Sequence, residues 1–103
     1  VQQQTFVPGR LQFEVHAATS GLVTRIDNYQ LARIASLAGA PMDKGAGVDL
    51  LKKLGDPVKP DEPIYRVHAE YRSDFKFAHE LSQKSTGYTI GRAEDVSKRY
   101  MEL

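Results

Sequence analysis

Turn-forming residues dominate the middle of the sequence, in the stretch GAPMDKGAGVDLLKKLGDPVKPDEP from Gly39 to Pro63. The stretch opens with Gly39 and Pro41, a pair that ends a helix because proline cannot continue it. Tight turns at residues 55–57 and 60–63 then separate short runs that are rich in aliphatic residues. Such spacing predicts a small β frame of short strands, which one helix enters from the N-terminal side.

Length and composition limit the class of protein. The chain has 103 residues, of which 41% are hydrophobic and 26% charged, which predicts one globular domain over residues 1–103. We interpret residues 1–10 as a linker and residues 92–103 as a tail, and the start without methionine suggests a fragment of a larger protein. The absence of cysteine excludes disulfides, thiolate metal sites and cysteine nucleophiles.

The distribution of charge and of apolar residues bears on partners. Fourteen basic and thirteen acidic side chains are interspersed, and the net charge is +1. No basic stripe is present that could neutralise several phosphates, so we expect no nucleic-acid partner. The apolar runs are far too short to span a bilayer, so we expect no membrane partner either.

The first half of the chain predicts two strands and a helix. Alternation over Leu11–Val15 and the β-branched run Leu22–Ile26 indicate strands on either side of a small-residue turn. Asp27 or Asn28 is placed to cap a helix that ends at Gly39. Its apolar residues repeat at helical spacing and predict a buried face, which Leu37 widens: Leu31, Ile34, Ala35 and Ala38.

The second half predicts three more strands and a second helix. The strands are Val48–Lys52, Ile64–Ala69 and a short edge strand Tyr88–Ile90. Ser73 or Asp74 would cap the helix, whose apolar face would consist of Phe75, Ala78 and Leu81, with Phe77 to one side. The tail could form another helix through Val96, Tyr100 and Leu103.

Few residues suggest chemistry. The three histidines, His16, His68 and His79, have no metal-binding spacing, so we expect surface or structural roles for them. The carboxylates lie beside turns and strand ends, where such groups hydrogen-bond local backbone. The segment Gly39–Gly47 superficially resembles a phosphate loop, but it lacks the GxxxxGK[ST] order and precedes a strand. Gly45 and Gly47 are free to take positive φ angles there, which would strain other residues.

A family resemblance adds what the residues alone do not. The segments GLVTRID, YQLARIASLAGAP and DKGAGVDLLKKLGDPVKPDEPIYRVHAE together resemble the C-terminal domain of the pyrimidine nucleoside phosphorylase family, in its archaeal-type branch of thymidine and AMP phosphorylases. The similarity covers about residues 10–70 and continues more weakly through the helix at 73–83. One departure is Pro60-Asp61, where the family commonly has lysine and glycine; a type I turn tolerates this pair.

The resemblance implies an α+β fold of the α/β-hammerhead kind, related to the barrel-sandwich hybrid, with an inserted helix and a C-terminal helix. It also implies a parent enzyme that cleaves a pyrimidine nucleoside, or a nucleoside 5′-monophosphate in the AMP branch, with inorganic phosphate as co-substrate. The implied partners are the parent's own N-terminal helical and central α/β domains, in a cytoplasmic homodimer. The family's catalytic and base-binding residues belong to those domains, so we expect no catalytic, cofactor-binding or metal-binding residue in this chain.

Two hypotheses follow for the glycine-rich segment. If the chain supports closure of the parent's cleft, the segment facing that cleft would be the loop Gly39–Gly47, with Lys44 and Gly45 at its centre. Alternatively, the chain could be a free-standing lipoyl- or biotinyl-like carrier or interaction module, since such carriers share the GDxV turn. Lys44 would then be the modified residue, although carriers present that lysine on a tight hairpin.

Overall fold

The computed structural model describes residues 11–92. The predicted linker 1–10 and the tail, apart from Arg92, lie outside the described residues, as does the possible helix through Val96, Tyr100 and Leu103. The elements in chain order are β1 Leu11–His16, β2 Gly21–Ile26, α1 Asn28–Ala38, β3 Gly47–Leu50, β4 Pro57–Val58, β5 Pro63–Ala69, α2 Arg72–Lys84 and β6 Tyr88–Gly91.

The strands form two antiparallel sheets of three strands each. The first sheet has the order β1-β5-β3 and the second the order β4-β2-β6. Strand β6 lies at the edge of the second sheet, as predicted. The predicted small α+β fold of the α/β-hammerhead kind, with a helix inserted between β2 and β3, is therefore confirmed.

The core lies between the first sheet and the two helices. Strand β5 is central in that sheet, and its alternate residues Tyr65, Val67 and Ala69 are fully buried. Phe13 of β1 lies opposite Val67 of β5, and its ring makes an edge-to-face contact with Phe75 of α2 at 5.3 Å between ring centroids. The side chains of this face therefore pack against the helices, and the opposite face carries the charged residues of β1, β3 and β5.

Helix α1 has both of the predicted ends. The Asp27 carboxylate accepts hydrogen bonds from the backbone N–H groups of Tyr29 and Gln30, at 3.1 and 3.2 Å. The predicted widening of its buried face by Leu37 is wrong, because that side chain is 40% exposed. Gln30 is buried instead, and its amide donates to the Ser85 carbonyl at 2.8 Å, which makes a buried polar side chain tolerable.

Helix α2 begins earlier than predicted. Neither Ser73 nor Asp74 caps it, because the chain enters the helix at Arg72 after extended backbone at Tyr71. No side chain caps this end; the first backbone bond runs from the Phe75 N–H to the Tyr71 carbonyl at 2.9 Å. Neither described helix is long and apolar enough to cross a bilayer.

The turn-rich middle differs from the predictions in three details. Strand β3 ends at Leu50 instead of continuing to residue 52, and the two-residue strand β4 was not predicted. The turn from Lys59 to Glu62 closes with a hydrogen bond of 3.0 Å from the Glu62 N–H. Asp61 has a φ of 68°, which a type I turn does not contain, so the turn is not of the type that tolerates this pair.

Candidate functional site

The loop between α1 and β3 begins with a conformation that requires glycine. Gly39 has a φ of 121° and donates its N–H to the carbonyls of Ala35 and Ser36, which ends the helix. A Cβ atom at this position would collide with the Asp43 carboxylate. The Asp43 N–H in turn donates to the Gly39 carbonyl at 2.9 Å, so the first half of the loop folds back on the helix end.

The second half of the loop is attached to the body of the domain. The Gly45 N–H donates to a carboxylate oxygen of Glu70 at 2.8 Å, and the Ala46 N–H donates to the Asp43 carbonyl at 3.0 Å. Of the two glycines that are free to take a positive φ, Gly47 does so, with a φ of 156°, and Gly45 does not. The loop is therefore closed by specific hydrogen bonds, and glycine is not needed at every position that has one.

Lys44 lies at the exposed part of this loop. Its side chain is exposed, and no hydrogen bond or ion pair holds its ammonium group among residues 11–92. Met42, two residues before it, is 87% exposed. The loop connects a helix to a strand, so Lys44 is not at the tip of a β-hairpin. This geometry does not offer the presentation that a lipoyl or biotinyl carrier needs.

The three histidines lie apart and have separate contacts. A ring nitrogen of His68 lies 2.8 Å from the Asp49 carboxylate, and one of His16 lies 3.3 Å from the Glu14 carboxylate. The third ring, that of His79, makes an edge-to-face contact with the Phe13 ring of β1, at 4.9 Å between ring centroids. Across residues 11–92, no three side chains of the metal-binding types gather at one point.

Some of the carboxylates hydrogen-bond local backbone, as their positions at turns predicted. Asp56 accepts the Lys53 N–H at 2.7 Å, and Glu62 accepts the Lys59 N–H at 2.9 Å. Glu62 also pairs with the Lys52 ammonium at 2.9 Å, and the hydrogen bond from that lysine lowers the pKa of the Glu62 carboxyl.

A second carboxylate, besides the Asp49 carboxylate beside His68, pairs across the first sheet. Glu14 on β1 lies opposite Arg66 on β5, and the two side chains meet at 2.8 Å. The guanidinium hydrogen bond, followed by that of His16, lowers the pKa of the Glu14 carboxyl. The pair is solvated, so it orders the outer face of the sheet rather than forming a reaction centre.

Two tyrosines, one from each sheet, meet at 5.5 Å between ring centroids and bond to loops with their hydroxyl groups, a role that the sequence did not predict. The Tyr65 hydroxyl donates to the Thr86 carbonyl at 2.8 Å, and the Tyr88 hydroxyl donates to the Lys52 carbonyl at 2.6 Å. Burial raises the pKa of both hydroxyls, that of Tyr88 to about 12. Their spacing gave no signal, because partners 21 and 36 residues away are brought together only by the fold.

A half-open groove of about 310 Å³ lies beside Tyr88. Small and apolar side chains form most of its walls, including those of Ala17, Ala18, Ile64 and Ile90. His16 and Thr19 lie at the groove but carry no arrangement of groups that would activate a substrate. We therefore regard the loop of residues 39–47, and not the groove, as the candidate functional segment.

Comparison with known proteins identifies what the chain is similar to. The profile of a family described as "Pyrimidine nucleoside phosphorylase C-terminal domain" matches residues 22–89. A protein of Methylococcus capsulatus is 52% identical over 102 residues, which cover 99% of this chain and 20% of that protein. One of Albidiferax ferrireducens is 56% identical over 95 residues, covering 92% and 18%. Both carry the name "Putative thymidine phosphorylase".

The match runs from β2 to the first half of β6 and includes both helices and the candidate loop. The chain spans about a fifth of the length of the curated relatives it matches. The chain therefore belongs to the pyrimidine nucleoside phosphorylase family, as its C-terminal domain.

Proposed function

We propose that the chain acts as the C-terminal domain of a thymidine phosphorylase. The parent enzyme would be a pentosyltransferase that converts thymidine and inorganic phosphate to thymine and 2-deoxyribose 1-phosphate. The observation that carries this proposal is the name of relatives that are 52% and 56% identical over nearly the whole chain. Because those relatives are about five times longer, the reaction is assigned to a longer protein.

Within that protein, the domain would support catalysis without contacting the reacting atoms. Five of its ten described carboxylates take part in the helix cap, turns and side-chain pairs of the first sheet, which are structural roles. Two of the three histidines pair with carboxylates of that sheet, and the third, His79, packs against an aromatic ring. Binding of phosphate and base would fall to a helical and a central α/β domain, and the parent would act as a cytoplasmic homodimer. Phosphate is a co-substrate in this scheme, and no cofactor is required.

The contribution of the domain would be to cleft closure. Closing a cleft excludes water and brings the phosphate and the nucleoside into line, which accelerates a displacement reaction. The loop Gly39–Gly47 is suited to face such a cleft because Lys44 projects from a segment that hydrogen bonds hold in place. A lysine ammonium there would attract an anionic group of the facing domain.

The test compares two lysine variants in the full-length gene product. Lys44→Ala should lower kcat/KM for thymidine phosphorolysis, by about threefold to tenfold if one partly solvated charge contact of about 1 kcal/mol is lost. Lys53→Ala is the matched control, because that lysine is also exposed but lies outside the loop, and it should leave kcat/KM unchanged. Equal kcat/KM values for Lys44→Ala and wild type would refute the role of the loop.

A further inference from the structure

Glu70 links the candidate loop to the first sheet. The residue follows the last residue of β5 and lies at the junction with α2. One of its carboxylate oxygens accepts the N–H of Gly45 at 2.8 Å, across 25 residues of sequence. The bond is partly buried, and an ionised acceptor makes it stronger than a bond between neutral groups.

This bond differs in kind from the others described for the loop. The bonds of Asp43 and Ala46 run between backbone groups of the same loop, so they shape it without fixing its position. The Glu70 bond instead connects the residue directly after Lys44 to β5, which is central in its sheet and whose residues Tyr65 and Val67 are fully buried. The backbone next to Lys44 is thus tied to the residue that directly follows β5, the central strand of its sheet.

We infer that Glu70 is a positioning residue, which holds the loop so that Lys44 is presented to the cleft. This inference rests on the proposed function. A mobile loop would lose conformational entropy each time the cleft closes, and this loss would oppose closure. Neighbouring residues that hold the loop in place beforehand avoid it. Glu70 would reduce that loss by fixing the loop before the cleft closes.

The first test measures the hydrogen bond in the 103-residue chain. Glu70→Ala removes the acceptor, whereas Glu70→Gln keeps an oxygen that can accept the same N–H. Amide hydrogen exchange of Gly45 should become about fivefold faster or more in Glu70→Ala and change little in Glu70→Gln. Val67, in the core, serves as internal reference. Unchanged exchange of Gly45 in Glu70→Ala would overturn the inference.

The second test measures catalysis by the full-length gene product. Glu70→Ala should lower kcat/KM for thymidine by about threefold to tenfold, the effect of losing one net hydrogen bond, and Glu70→Gln should restore most of the loss. Because Glu70 would act through Lys44, the double variant Lys44→Ala/Glu70→Ala should be no worse than Lys44→Ala alone. Additive losses would show that Glu70 does not act through Lys44.

The outcomes separate this inference from the proposed function. If Lys44→Ala is impaired and Glu70→Ala is not, the positioning role is wrong and the role of the loop stands. If neither variant loses activity, the loop has no part in catalysis and both proposals fail. If Glu70→Ala is impaired but Glu70→Gln does not restore activity, an accepted hydrogen bond is not what Glu70 supplies.

Discussion

Replacing Gly39 with alanine tests how the candidate loop leaves the helix. The backbone there has a φ of 121°, a region that side chains with a Cβ rarely adopt. Holding alanine in such a conformation costs about 1–3 kcal/mol. The new methyl group would also displace the Asp43 carboxylate, but that group can rotate away, so we expect most of the loss to come from the backbone.

Urea unfolding of the 103-residue chain gives the measurement. With a denaturant slope of about 1–2 kcal/mol per molar for a small domain, a loss of about 2 kcal/mol lowers the midpoint by about 1–2 M. Gly47→Ala is the matched control in the same loop. Its φ of 156° is nearer to extended backbone and a Cβ there would meet no atom within 4 Å, so we expect a smaller loss.

A second variant separates the two causes. In an Asp43→Ala background the carboxylate is absent, so the Gly39→Ala substitution should still cost the backbone part, about 1 kcal/mol or more. If Gly39→Ala, made in the otherwise wild-type chain, leaves the urea midpoint unchanged, the helix end does not require this backbone conformation. Our account of the loop would then be refuted.

Three further predictions concern stability. Tyr65→Phe should lower the free energy of unfolding, measured in urea, by about 0.5–1.5 kcal/mol, because the Thr86 carbonyl loses its donor. Burial raises the pKa of Tyr65, so the stability that the hydroxyl contributes is complete below its unfolded pKa of about 10 and is lost as the pH rises from there through the folded pKa. Over that pH range the stability of the variant should therefore fall less than that of the wild type. Arg66 lowers the pKa of Glu14, so the stability from this pair is present above the unfolded pKa of about 4.3 and is lost as the pH falls through the folded pKa. In Arg66→Met the free energy of unfolding should therefore fall less steeply with pH below about 4.3. An unchanged dependence of stability on acid pH would contradict the pairing. Asp27→Ala should lower stability by about 1 kcal/mol through loss of the helix cap, whereas Asp27→Asn should retain most of it.

The predictions that succeeded depended on local sequence. Asp27 and Gly39 mark the ends of α1 because a capping carboxylate and a positive φ are properties of one or two residues. Alternation over β1 and the turn residues around Asp56 were similarly informative. These signals act within a few residues, so the sequence shows them directly.

The predictions that failed depended on tertiary contacts. Leu37 has helical spacing for the core, but Gln30 is buried in contact with Ser85, 55 residues later. The start of α2 was misplaced because the chain continues from β5 with extended backbone at Tyr71 and needs no side-chain cap. Only the fold brings such partners together, and a single sequence does not show them.

The candidate loop shows both kinds of outcome. Its glycines and Lys44 were identified from composition, but the role of Glu70 was not, because nothing in the sequence relates a residue after one strand to a loop 25 positions earlier. The residue pair Pro60-Asp61 is compatible with a type I turn, so the pair alone did not indicate a positive φ. The positive φ of Asp61 is instead set by the turn that closes onto Glu62.

Phosphorolysis of thymidine is the most direct test of the central claim, that this chain is the supporting C-terminal domain of a thymidine phosphorylase. The full-length gene product and the 103-residue chain would each be incubated with thymidine, with and without inorganic phosphate, and the release of thymine measured. We predict phosphate-dependent release by the full-length product and none by the chain alone. Release of thymine by the chain alone, or none by the full-length product, would contradict the account.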